Sequence, residues 1–132
     1  MNDANREQQG IAKLREIAGD RASSPLNDWL EYAPAMRDYI VRFVAGDVLS
    51  RPALDSRTRQ IVTVAMLAEK NDAPDEFKMH LNGALNLGWT RAELVEVLIQ
   101  CAVFAGFPAA LNALKYAADV FNAQQQNAPT GS

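Results

Sequence analysis

Apolar residues recur every three or four positions along most of this 132-residue chain. No segment alternates with period two for long enough to make a strand, so the pattern predicts an all-α fold. A first helix is expected at about 9–18, where Ile11, Leu14, Ile17 and Ala18 share one face, after a polar and frayed start. Gly19 and Asp20 stop it. Ser23-Ser24-Pro25 then restarts the chain, with a serine as cap and the proline at the first helical position. A short helix to about residue 31 is expected next, and Pro34, which lacks an N–H donor, separates it from another at 34–44. Leu26, Trp29 and Leu30, then Met36, Tyr39, Ile40, Phe43 and Val44, supply the inward faces. Gly46 is expected to end this element.

The second half is more strongly apolar. Pro52 keeps the linker at 47–54 extended, and Asp55 and Ser56 cap a helix at 57–70. Its residues Ile61, Val62, Val64, Ala65, Met66 and Leu67 are apolar nearly all round, which calls for burial on most sides. Asn71-Asp72-Ala73-Pro74 breaks it, with Asp72 the expected cap of a helix at 75–87 that Gly88 closes. Thr90-Arg91-Ala92-Glu93 reads as a capping box, in which threonine and glutamate side chains satisfy each other's backbone N–H groups. It opens a helix at 91–105 that is almost wholly apolar after Glu96. Gly106-Phe107-Pro108 turns the chain into a last helix at 108–123, followed by a polar stretch from Gln124, and Thr130-Gly131-Ser132 has the look of a cloning remnant. Two helices apolar on most sides exceed what one small chain covers, so a homo-oligomer is expected.

Length and composition narrow the picture. A chain this long fits one domain with a sizeable core, here a helical domain at 1–126 and a polar tail at 127–132. A net charge of −3 with scattered cations leaves no basic footprint for nucleic acid or anionic lipid. No apolar run reaches the roughly 18 residues of a membrane span, and the polar N-terminus does not read as a signal peptide. A soluble, cytoplasmic protein is expected. Its single cysteine, Cys101, lies in an apolar run, so no intrachain disulfide can form and the thiol is expected to be inert.

The candidate chemistry gathers at 76–88. His80 is the only histidine in the chain and stands one helical turn after Glu76. Side chains at i and i+4 share a helix face, and an imidazole beside a carboxylate can move protons near neutral pH. A lone helical histidine is more usually a surface or satisfied core residue, and that reading stands beside the catalytic one. Arg57 and Arg59 place two cations at a helix N-terminus, against the macrodipole. A solvated face or an anionic partner would each account for them.

Taken together, these signals resemble the carboxymuconolactone decarboxylase family of the AhpD-like all-helical superfamily. The matching residues are Arg51-Pro52-x-Leu54, then Arg57-Thr58-Arg59-x-x-x-Thr63-x-Ala65-Met66-Leu67. They continue with Glu76-x-x-x-His80-x-x-x-Ala84-Leu85-x-x-Gly88-x-Thr90-x-x-Glu93 and finish with Ala105-Gly106-Phe107-Pro108-Ala109-Ala110. The resemblance covers about residues 37–122. Where the family's decarboxylases tend to carry asparagine after the Pro-Ala-Ala turn, this chain has Leu111, followed by Asn112.

The resemblance implies one of two chemistries. The redox branch reduces peroxides with a Cys-x-x-Cys pair just before the helical histidine, and those positions here hold Ala73 and Glu76. Without a dithiol that cycle cannot run. The other branch implies a cofactor-free lyase that decarboxylates 4-carboxymuconolactone or a related carboxylated lactone through an enolate. In that reading His80 is the acid or the donor to the oxyanion, and Glu76 orients it. Arg51, and with it Arg57 or Arg59, would hold the substrate's carboxylates. Trp29, Met66 and Phe107 would form apolar walls or simply pack in the core. The same residues would suit an isomerase, cyclase or hydrolase acting on an enolisable acid, or an oligomeric binding protein without chemistry. No metal is expected, because His80 and Glu76 supply two ligands where zinc takes three or four from protein. The family implies a trimer or a hexamer.

Overall fold

The computed structural model describes residues 2–19 and 30–127, and all of them are helix or connection, with six α-helices and no strand. The expected restart at Ser23-Ser24-Pro25, the proposed wall residue Trp29 and the tail from residue 128 lie outside the described residues. The chain divides into two compact units, Met1–Arg59 and Gln60–Ser132.

In the first unit, α1 is Asp3–Ala18, longer at its start than the apolar pattern foretold. The Asn2 side chain caps it by accepting from the backbone N–H of Asn5 at 2.8 Å. The polar first turns are ordered by charge rather than by burial. Arg6 reaches both carboxylate oxygens of Asp47 at 3.0 and 2.8 Å, and Glu7 takes Arg37 and Arg42. Those cations hold the Glu7 carboxyl below its ordinary range, with the Arg37 hydrogen bond the largest cause. Partners on the facing element come from α2, Pro34–Asp38, and from the π-helical turns Tyr39–Val48 that continue it.

Gly46 does not end that element. The helix runs on to Val48, and Gly46 is buried where α1 crosses it: a Cβ there would come within 2.7 Å of the Arg6 carbonyl oxygen. Gly10 meets the same crossing from the other side, where a Cβ would sit 1.9 Å from the carbonyl oxygen of Val41. The element ends instead at Leu49 and Ser50. The Ser50 hydroxyl donates to the Ala45 carbonyl at 2.6 Å, supplying a partner at a terminus that would otherwise lack one. Most of the short helix expected up to about residue 31 lies outside the described residues, and Leu30–Tyr32 form a turn of 3₁₀-helix.

The helix α3, Ser56–Lys70, starts at Asp55, whose carboxylate accepts from the backbone N–H of Thr58 at 2.7 Å. Asn71, left-handed at φ 58°, closes it, and its side chain links Ala109 and Asn112. In the second unit, α4 is Pro74–Asn86, α5 is Arg91–Ala105 and α6 is Phe107–Asn127. Asp72 does not cap α4. It pairs with Lys70 at 2.7 Å, and Ala73 holds the cap position with Pro74 following, so the proline's missing donor costs nothing there. Gly88, at φ 95°, ends α4 with its N–H on the Leu85 carbonyl and that of Trp89 on Ala84, a Schellman turn. The Thr90–Glu93 capping box forms as read. The expected polar tail is helical as far as Asn127.

The core of this unit is Val64, Ala68, Phe77, Leu81, Ala84, Leu94, Leu98, Ala113, Ala117 and Val120, with α6 laid against α4 and α5. It buries one face of each apolar helix and not, as the pattern suggested, most sides. Ile99, Val103 and Phe104 of α5 face outward, and Phe104 keeps 85% of its surface exposed.

Candidate functional site

Three side chains of the second unit converge: Gln60 from α3, and Glu76 and His80 from α4. The helix α4 directs Phe77, Leu81 and Ala84 into the core, so positions 76 and 80 fall together on a flank of that face. Glu76 lies in the first turn, where a carboxylate complements the helix dipole. Its Oε2 stands 3.7 Å from Nε2 of His80, close enough for an ion pair if the ring is charged and too long for a hydrogen bond. The His80 ring is largely buried and the Glu76 carboxylate is half-exposed. Burial pushes the imidazole below its ordinary 6.5, and Glu76 pulls it partly back.

Gln60 was not singled out by the sequence. It is 3% exposed, and its Nε2 lies 2.7 Å from the backbone carbonyl oxygen of His80 and 3.0 Å from the ring Nδ1. A glutamine at the entry to the mostly apolar run from Ile61 to Ala68 is the one available signal, since an amide buried there needs partners. Nothing in the linear pattern says that those partners lie 20 residues on.

The arginines have other surroundings. Arg59 is partly buried, and its Nε and Nη2 donate to the carbonyls of Leu54 and Arg51 at 3.2 and 3.1 Å. It therefore braces the linker before α3, which gives a local reason for a cation at that helix start. Arg57 and Arg51 are exposed, and Arg57 helps hold the Asp55 carboxyl low, behind the larger effect of the hydrogen bonds from Thr58.

Neither Met66 nor Phe107, the proposed apolar walls within the described residues, is core. Met66 is 58% exposed and lines an open groove of about 440 Å³ with Ile61, Val62, Ala65, Cys101 and Phe104. His80 is not among the residues lining that groove. Phe107 is 70% exposed at the start of α6. Burial raises the Cys101 thiol above its ordinary value, so it is a poor nucleophile. Among the described residues no cluster of three histidine, cysteine or carboxylate groups is placed to hold a metal, and no helix is long and apolar enough to cross a membrane.

This is a small helical protein whose histidine is held between a buried amide and a carboxylate. Residues 34–119 match the carboxymuconolactone decarboxylase family model, and the chain belongs to that family. It is 36% identical over 122 residues to a 4-carboxymuconolactone decarboxylase of Acinetobacter baylyi, covering 92% of this chain and 90% of the relative. It is also 26% identical over 107 residues to a nitrosuccinic acid decarboxylase of Metarhizium robertsii, covering 80% and 74%.

Proposed function

We propose that the chain is a carboxy-lyase acting on 4-carboxymuconolactone or a closely related carboxylated lactone. The observation that carries this reading is the 36% identity to the Acinetobacter decarboxylase across nine-tenths of both chains. The Glu76–His80 pair and the absence of cysteine from the two positions where a peroxidase dithiol would stand are consistent with it.

In such a reaction the bond between the ring carbon and the carboxylate breaks, and its electron pair spreads toward the lactone carbonyl oxygen as a dienolate. Carbon dioxide leaves, and a proton then returns to carbon. The protein's task is to stabilise the developing oxyanion, and the proton that returns to carbon is drawn from water. His80 is the proposed donor to the oxyanion, and Glu76 steadies its ring electrostatically. Arg51 and Arg57 are the cations proposed for the substrate's carboxylates, on the sequence argument. No cofactor is needed, because the lactone carbonyl itself accepts the charge.

A second reading keeps the reaction and changes the acid. The fungal relative's name specifies a nitro acid, in which the nitro group would accept the electron pair in place of a carbonyl. Either way the protein is proposed to work as a homo-oligomer that covers the outward apolar face of α5.

The test is CO2 release from 4-carboxymuconolactone and, in parallel, from nitrosuccinic acid, by wild type and His80→Ala. Release from the lactone that falls at least about 100-fold in the variant supports the reading, the size expected for losing an oxyanion donor. Release from the nitro acid alone selects the second reading. Neither substrate turning over in the folded wild type overturns both.

A further inference from the structure

We infer that Gln60 is a positioning residue that locks His80 as the neutral tautomer protonated on Nε2, making it a hydrogen-bond donor rather than a proton-delivering acid or a base. The amide's orientation follows from one contact. A backbone carbonyl oxygen can only accept, and the Gln60 atom 2.7 Å from the His80 carbonyl must therefore be the NH2 group. Its reverse would press two acceptors together. The same NH2 group lies 3.0 Å from Nδ1, and it has no lone pair to offer a ring N–H. Nδ1 must then accept, and in a neutral imidazole the proton falls to Nε2.

The consequences run in one direction. Nε2–H lies on the side where the Glu76 carboxylate stands 3.7 Å off, beyond hydrogen-bond distance, and is the donor proposed for a substrate oxygen. Protonating Nδ1 would set an N–H against the Gln60 donor, so the imidazolium is opposed by the amide as well as by burial. The ring cannot serve as a base either, because Nδ1 is occupied and Nε2 already carries its proton. Among the described residues the charged group acting on the ring is Glu76, from its own helix, while α3 presents the uncharged Gln60. The catalytic meaning of the lock rests on the lyase reading, whereas the tautomer does not.

His80 is the chain's only histidine, so its ring nitrogens can be read by ¹⁵N NMR of the uniformly labelled protein without assignment by mutation. Above the ring's pKa, Nδ1 is expected at the shift of an unprotonated acceptor nitrogen and Nε2 at that of a protonated one. The reverse pattern, or an averaged one, overturns the inference, and this holds whether or not any variant folds. Gln60→Glu replaces the donor by an acceptor and is expected to raise the His80 pKa by about 1–3 units, with Gln60→Leu raising it less. An unchanged titration in both folded variants also overturns it, while a purely structural glutamine would move neither tautomer nor pKa. No substrate enters the experiment. A locked tautomer without CO2 release keeps this inference and removes the lyase, and CO2 release with Nδ1 protonated does the opposite.

Discussion

The Glu76 carboxylate stops 3.7 Å short of the His80 ring, on the side away from the Gln60 amide. The pair is therefore coupled by charge and not by a shared proton. Glu76 opposes the larger effect of burial on the imidazole. Replacing it by glutamine is expected to lower the His80 pKa further. The shift should be modest, because water reaches the carboxylate and screens it. Histidine titration by NMR checks this, and an upward shift would show that the two side chains do not interact as placed.

The pH dependence of turnover separates the two roles open to His80. The folded pKa lies below 6.5. If the neutral ring is the working form, kcat/KM is level above that value and falls as pH drops through the folded pKa. A protonated acid would give the opposite limb, with activity lost as pH rises. Stability follows the same sign. Between the folded pKa and 6.5 the unfolded chain binds more protons than the folded one, so stability increases with pH across that window. His80's contribution is fully present above 6.5 and is lost as pH falls through the folded value. Denaturant titrations at several pH values should show that slope in wild type and a shallower one in His80→Asn.

The crossing of α1 over the π-helical turns depends on having no side chain at Gly10. A Cβ there would meet the Val41 carbonyl oxygen at 1.9 Å, and a backbone atom cannot rotate away. Gly10→Ala is expected to cost about 1–3 kcal/mol through the forced separation, despite alanine's better helix propensity of about 1 kcal/mol. A control at Gly19, where a Cβ would meet nothing within 4 Å but φ is 63°, separates crowding from backbone strain. Urea denaturation of the two variants measures both costs.

Most of the helical map was legible because it rests on local signals. The Thr90–Glu93 box, Pro34 and Pro74 at helix starts and Gly88 at a helix end all act within a turn of their own position. Two kinds of feature escaped. The first turns of α1 are polar, and their order comes from Asp47, Arg37 and Arg42, 30 or more residues away. Gly46 reads as a terminator because glycine commonly ends helices, yet its use is close approach to Arg6. At the candidate site, the spacing of Glu76 and His80 was readable as i, i+4. Gln60 was not, because its role appears only once α3 and α4 are packed together.

The outward face of α5 has a consequence for assembly. Ile99, Val103 and Phe104 are largely exposed, and Phe104 lines the same open groove as Met66 and Val62 of α3. Side chains of this kind gain roughly 1.5–3 kcal/mol each from full burial, so leaving several in water opposes a solitary chain. The helix α5 is already anchored on its other face by Leu94 and Leu98. Phe104→Asp therefore removes no core contact and places a charge where a second copy is proposed to pack. The variant is expected to keep wild-type helical circular dichroism while sedimenting as a smaller species than wild type at the same concentration. A wild-type chain that sediments as a monomer, or a variant whose mass is unchanged, would show that this face is not where copies meet.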